Sequence, residues 1–320
     1  MNLPSAASAA RAESSKSRYR GRFAPSPTGP LHFGSLIAAL ASYCDARAAG
    51  GEWLLRIEDV DCLRRQPGAE AQIVAVLERY GFEWDGAIVR QSDRTILYAQ
   101  ALQTLQELDL IYACACTRRE LSSAPIGIAG ERVYPGTCRN GLPASYGGRS
   151  ALARRVRVDD VVLECRDRLQ AMQQQDLARD VGDFVVKRSD GLFAYQLAVV
   201  VDDAQQGITD VVRGADLLAS TPRQVFLQRL LAVPTPTYLH VPVAVNAAGE
   251  KLSKQTRAPP LPITPLPALL AAWRFLDQSP PPERPHGVAE FWNFAHASWQ
   301  VPRLPPVPML PAPATSSARV

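Results

Sequence analysis

The chain has 320 residues, 47% hydrophobic and 21% charged, with a net charge of +4 at pH 7. That length supports a sizeable core, arranged as one large domain with an insertion or as two domains. No apolar run approaches the roughly 20 residues a bilayer span needs, and residues 1–17 have no apolar stretch of signal-peptide length, so a cytoplasmic protein with a disordered leader is expected.

Residues 20–24 (RGRFA) predict a strand running into PSPTGPLHFGS, where Pro and Gly prevent regular structure until Ser35. Leu36, Ile37, Leu40, Ala41, Tyr43 and Cys44 then recur at helical spacing, and Gly50-Gly51 ends the helix. Residues 52–57 (EWLLRI) read as a second strand, so the chain opens with a βαβ unit. Helices are predicted over 67–80, begun by Pro67, and over 94–108. These elements form the first half of an α/β core, 18–113.

From Cys114 to Arg168 the periodicity fades into Gly, Pro, Ser and Arg, which marks an insertion over 114–182. Residues 118–168 hold ten Arg against six acidic residues. That excess describes either a solvated surface or a contact for a polyanion such as RNA. Six cysteines, at 44, 62, 114, 116, 138 and 165, argue against a disulfide scaffold without a secretion signal. Cys114, Cys116 and Cys138 are spaced to supply three ligands to Zn²⁺, or stand as buried free thiols.

Order returns at Asp183. FVVKR, a Ser-Asp-Gly turn and LFAYQLAVVVDD lead into ITDVVRG and a helix capped by Thr221 with Pro222 at its first position. The strand HVPVAV, a turn at 246–249 and KLSKQ complete the second half of the core, 183–257. Of 27 prolines, 15 fall in the last 63 residues. Short helices are predicted there over 269–276 and 289–299, with a disordered end from Pro302.

Two loops suggest nucleotide chemistry. A loop leaving a strand and entering a helix offers unpaired N–H groups and a helix dipole to phosphate. Gly29 admits close backbone approach, Gly34 leaves room for a flat base or ribose, and His32 can donate to phosphate oxygens, although a His at a helix start also serves structure alone. The second loop is Lys251-Leu-Ser-Lys254-Gln255. In a chain with 31 Arg and four Lys, two of those lysines fall within four residues. A compact ammonium on a flexible stem suits a phosphate clamp better than a planar guanidinium does. A solvated turn is the plain alternative.

Together, the run Arg22 to Ser35 (RFAPSPTGPLHFGS), Arg56-Ile-Glu-Asp59, Asp190 to Asp203 with Val211-Val-Arg-Gly214, and Lys251 to Gln255 resemble the class I glutamyl-tRNA synthetases over about residues 18–258. The resemblance implies a Rossmann-type catalytic domain carrying a zinc-containing insertion. His32 to Ser35 stands as the HIGH-like motif and Lys251 to Gln255 as the KMSKS-like motif, with Ser35 in place of the second His and Gln255 in place of the last Ser. Catalytic roles are implied for His32, Lys251 and Lys254, and ATP contacts for Gly29, His32, Gly34, Ser35 and Lys254, with Mg²⁺ accompanying ATP.

A selective site for L-glutamate needs two cationic or donor-rich groups and one carboxylate. Arg22, Arg213 and Glu58 are available. The resemblance places Arg22, Phe23, Ala24, Pro25, Ser26, Glu58, Tyr195 and Arg213 at the amino acid. Without it, Glu58 reads as a surface ion pair with Arg56 and Tyr195 as a core aromatic. It also suggests Tyr134 as a fourth, oxygen ligand beside Cys114, Cys116 and Cys138, with Cys165 as the fallback.

Only 65 residues follow Gln255, too few for the helical anticodon-reading domain of full-length relatives. In this the chain is similar to the glutamyl-Q tRNA(Asp) synthetase family, which implies glutamate activation without tRNA and transfer to queuosine at the wobble position of tRNA(Asp). A monomer is expected. Two alternatives remain: a truncated synthetase charging an acceptor end, and a catalytically silent zinc-containing RNA-binding paralogue.

Overall fold

The computed structural model describes residues 18–127, 130–252 and 258–313. Strands and helices alternate at the start as β1 (Arg20–Phe23), α1 (Phe33–Ala48), β2 (Glu52–Ile57), α2 (Ala69–Arg79), β3 (Val89–Arg90) and α3 (Thr95–Glu107). β1, β2 and β3 pair in parallel in that order, with Arg22 opposite Leu54 and Arg56 opposite Val89. α1 is buried from Leu36 to Ala46 except at Ala38, as suits a helix apolar on nearly every face. Pro67 does not begin α2. The chain enters that helix through Gly68, whose φ of 75° belongs to the left-handed region open to glycine.

The inserted region is more regular than its composition suggests. It contains β4 (Ile111–Cys114), β5 (Ala153–Val156), β6 (Val162–Cys165), β7 (Gln173–Asp176), α4 (Leu177–Asp180) and β8 (Phe184–Lys187). β4, β5 and β8 form an antiparallel sheet, and β6 and β7 a hairpin. FVVK therefore pairs within this sheet, which runs from 111 to 187.

The second half continues through α5 (Tyr195–Gln205), β9 (Asp210–Gly214), α6 (Thr221–Leu230), β10 (Thr237–Val241) and β11 (Val243–Val245). β9 and β10 are parallel, and β9 borders β1, where the Thr209 N–H donates to Arg20 O at 3.0 Å. Strand order thus runs one way from β1 to β3 and the other way from β9 to β10. The reversal between β1 and β9 is the place where a doubly wound sheet opens a crevice. HVPVAV is two strands rather than one, because Pro242 has no N–H for a ladder. Thr221 is the first residue of α6 rather than its cap; its hydroxyl accepts from Arg213 Nη2 at 3.0 Å.

The proline-rich end forms α7 (Pro265–Phe275), α8 (Val288–Ser298) and β12 (Met309–Pro311). Trp273, Phe291 and Trp292 are buried with Tyr43, Trp53 and Phe82 in the core shared with α1. The expected disorder from Pro302 does not hold through residue 313. β12 pairs in parallel with β11, and Pro308 O accepts from Val243 N at 3.0 Å, since a proline lacks a donor but keeps its carbonyl. The leader, and with it the expectation of disorder there, lies outside the described residues, as do Lys254 and Gln255.

Candidate active site

A cavity of about 210 Å³ opens at the carboxyl ends of β1, β2, β9 and β10, at the reversal of strand order. Arg22, Phe23 and Ala24 reach it from β1, Glu58 from the end of β2, Arg213 from β9 and Tyr195 from the start of α5. His32, Gly34, Ser35 and Lys251 also line it. Six of the eight residues expected at an amino acid therefore share one wall system with both loops. Pro25, Ser26 and Gly29 are not part of that wall among the described residues. Pro25 acts one step back, its carbonyl accepting from Glu58 N at 3.0 Å and so fixing where Glu58 leaves the sheet.

The cavity is built around buried charge. Arg22 Nε and Nη2 meet the two oxygens of Asp203 at 3.1 and 3.3 Å, and Arg56 Nη2 reaches the same carboxylate at 2.7 Å. Burial alone would raise the Asp203 pKa, but Arg22 and Arg56 outweigh it and hold it low. Glu58 differs. Burial pushes it up to about 6 against the pull of Arg56 and Arg22. Its Oε1 is buried without a hydrogen bond and lies 3.5 Å from Arg56 Nη2. The pair with Arg56 is real, yet it is buried at the cavity and not on the surface, and a cationic group entering there would complete the Glu58 carboxylate. Tyr195 is pushed up to about 12, first by burial and then by the charge of Glu58, so it stays a phenol.

At the helix start, His32 is the N-cap of α1 and its Nδ1 accepts from Ser35 N at 3.4 Å. A neutral imidazole accepting at Nδ1 carries its proton on Nε2, which makes that edge a donor. Gly34 is favoured by closeness: a Cβ there would come within 3.2 Å of the His32 ring and 3.3 Å of Leu252 O. The two loops thus touch at Gly34. Lys251, exposed over 43% of its side chain, pairs with Asp216 at the cavity edge.

The sulfur cluster lies in the inserted sheet. The Sγ atoms of Cys114, Cys116 and Cys138 lie within 4.8 Å of one another. Cys116 and Cys138 are 3.6 Å apart, and Tyr134 Oη is 3.4 Å from Cys114 and 3.7 Å from Cys116. Ligands 2.3 Å from a tetrahedral Zn²⁺ stand about 3.8 Å apart, so this donor set fits that ion. Cys165 is buried in β6 within a different apolar cluster and is not among the grouped thiols. Burial would raise the Cys114 thiol, but hydrogen bonds from Tyr134 and Arg155 prevail and lower it. Arg155 donates to Cys114 Sγ at 3.2 Å and lies 3.7 Å over the Tyr134 ring, a cation placed to offset thiolate charge.

Several contributors went unread in the sequence. Asp203 follows the apolar run AVVVD, and a carboxylate buried on such a helix was the available signal for an internal cation partner. His240, inside an apolar strand, bonds Arg213 and Asp167. Arg155 and Asp216 gave no local signal.

Residues 18–259 match the family described as tRNA synthetases class I (E and Q), catalytic domain. Fold and site accordingly define an aminoacyl-tRNA-synthetase-type ligase. The glutamyl-Q tRNA(Asp) synthetase of Thiobacillus denitrificans is 56% identical over 92% of this chain and 97% of its own length. That of Aromatoleum aromaticum is 55% identical over 94% and 95%. The solved glutamate-tRNA synthetase of Elizabethkingia anophelis superimposes with a TM-score of 0.74 at 25% identity, covering 92% of this chain and 68% of that one. The chain belongs to the glutamyl-Q tRNA(Asp) synthetase family, within the class I synthetases of the Glu and Gln group.

Proposed function

We propose that this enzyme activates L-glutamate with ATP, without needing tRNA for that step, and transfers the glutamyl group to queuosine at the wobble position of tRNA(Asp). The observation that carries the reading is the cavity whose wall brings together Arg22, Arg213 and the buried carboxylate of Glu58 with His32 and Lys251 of the two nucleotide loops. Glutamate brings two carboxylates and an ammonium, and each then meets its opposite charge. The names of the relatives, glutamyl-Q tRNA(Asp) synthetases, support the choice of acceptor.

In the first step an oxygen of the glutamate α-carboxylate attacks the α-phosphorus of ATP, the bond to the β-phosphate oxygen breaks, and pyrophosphate leaves. Negative charge gathers on the phosphates. His32 Nε2–H, on a ring preset by its capping contact with Ser35 N, is a donor for that charge, and the ammonium groups of Lys251 and Lys254 would add positive charge to it, as the family resemblance implies. Mg²⁺ arriving with ATP offsets phosphate charge. In the second step a hydroxyl of the queuosine cyclopentene ring attacks the mixed anhydride, forming an ester and releasing AMP and a proton. Lys251 leaves Asp216 to follow the phosphates.

Cys114, Cys116, Cys138 and Tyr134 would hold structural Zn²⁺, which supplies a cross-link among loops with little core of their own. The test is pyrophosphate exchange with ATP and glutamate in the absence of RNA. Glutamate-dependent exchange is the expected result, and its absence would refute the activation step.

A further inference from the structure

The two arginines of the cavity are held in opposite ways. Arg22 is bidentate with Asp203, so much of its charge is already spent inside the protein. Arg213 is equally buried, yet no carboxylate oxygen lies within ion-pair distance of it among the described residues. Its Nε donates to His240 Nε2 at 3.0 Å, its Nη1 to Gln224 Oε1 at 2.8 Å and its Nη2 to Thr221 Oγ1 at 3.0 Å. The Tyr238 ring lies 5.4 Å from its guanidinium carbon. Every one of these partners is neutral.

His240 makes that neutrality possible. A guanidinium can only donate, so His240 Nε2 must accept, and the imidazole proton sits on Nδ1. Nδ1 faces Asp167 Oδ2 at 2.6 Å. Asp167 is in turn fixed by its own loop, its Oδ1 accepting from the backbone N–H groups of Leu169 at 2.9 Å and Gln170 at 2.8 Å. His240 is fully buried, and burial lowers its pKa despite the pull of Asp167, in keeping with an uncharged ring. The imidazole therefore passes orientation from Asp167 to Arg213 while keeping the carboxylate one ring away.

We propose that Asp167, His240 and Gln224 are positioning residues that fix Arg213 through neutral contacts, so that Arg213 and not Arg22 is the dominant cation for a substrate carboxylate. This rests on the glutamate reading above. It assigns the loop after β6, part of the inserted region, a share in amino-acid affinity.

The test puts a carboxylate directly against Arg213 in two independent places, as His240→Glu and as the near-isosteric Gln224→Glu. Calorimetric glutamate binding and exchange kinetics are read on the full-length protein, with melting curves to verify folding. Each variant is expected to weaken glutamate binding and raise its KM at least about tenfold, the cost of competing for a charged hydrogen bond, while the KM for ATP stays within about twofold. His240→Gln, which keeps an acceptor near the Nε2 position, is expected to regain most of the affinity lost in His240→Glu. The proposal is overturned if folded Gln224→Glu binds glutamate as the wild type does, or if glutamate and ATP are weakened alike. Wild-type protein that binds no glutamate would overturn it together with the reading it rests on, an outcome distinct from both.

Discussion

The cavity between β1 and β9 and the sulfur cluster of the inserted sheet are both polar sites, but they depend on their ligands differently. The cavity is held by a parallel sheet, by α1 and by ion pairs internal to the protein, such as Arg22 and Arg56 on Asp203. It needs no ligand to keep its shape. The cluster has as its buried apolar neighbours little besides Tyr112 and Tyr134. Its three thiols lie close enough together to share an ion, which would cross-link loops with little core of their own. Changes in the first region should therefore alter turnover with the fold intact, and changes in the second should alter the fold first.

The largest effect should come from His32→Ala. Loss of a preset donor at developing phosphate charge is expected to lower exchange on the order of 100-fold, with melting unchanged to within about 2 °C. A comparable drop is expected for Lys254→Ala, measured in the same assay. If either variant unfolds instead, the cavity is not the self-supporting site described.

Next in size is Glu58. Its carboxyl titrates near 6, and only the carboxylate attracts an ammonium. As pH falls below that value the carboxylate is lost, so kcat/KM for glutamate should drop about tenfold per unit and level off above it. Glu58→Gln is expected to remove this inflection and to raise the glutamate KM throughout, as a pH series of initial rates would record.

Cys138→Ser should act the other way round. It is expected to destabilise the inserted sheet by about 2–4 kcal/mol, read as faster amide exchange across β4 and β5, with glutamate activation reduced less than threefold or so. Removing metal by chelation should do the same. An equal loss of activation and stability would erase the contrast between the regions. The smallest effect is expected from ending the chain at Val307, which deletes β12: a fall of a few degrees in Tm with exchange retained, measured by calorimetry.

How much of this could be read from the residues depends on sequence distance. The βαβ opening, the two loops and the three cysteines are local patterns, legible because spacing alone fixes them. The partners of Arg22 and His240 are not local. Asp203 lies 181 residues from Arg22, and Asp167 lies 73 from His240. Only the fold brings them together. Arg155 is buried over Tyr134 inside β5, in a stretch without clear periodicity whose arginine excess read either as solvated surface or as a polyanion contact. The proline-rich composition of the end suggested disorder, yet where β12 pairs with β11 the Pro308 carbonyl accepts from Val243 N. The eight-residue amino-acid set was legible only through resemblance; charge logic on its own reached Arg22, Arg213 and Glu58.

The central claim is a division of labour in which the cavity activates glutamate alone and then passes it to a modified base. It is tested most directly by incubating the enzyme with ATP, labelled glutamate and tRNA(Asp) that carries or lacks queuosine, then mapping the label. The account predicts a base-labile ester in the anticodon loop only when queuosine is present. Label at a tRNA 3′ end, or on tRNA(Glu) lacking queuosine, would contradict it and mark the protein as an acceptor-end synthetase.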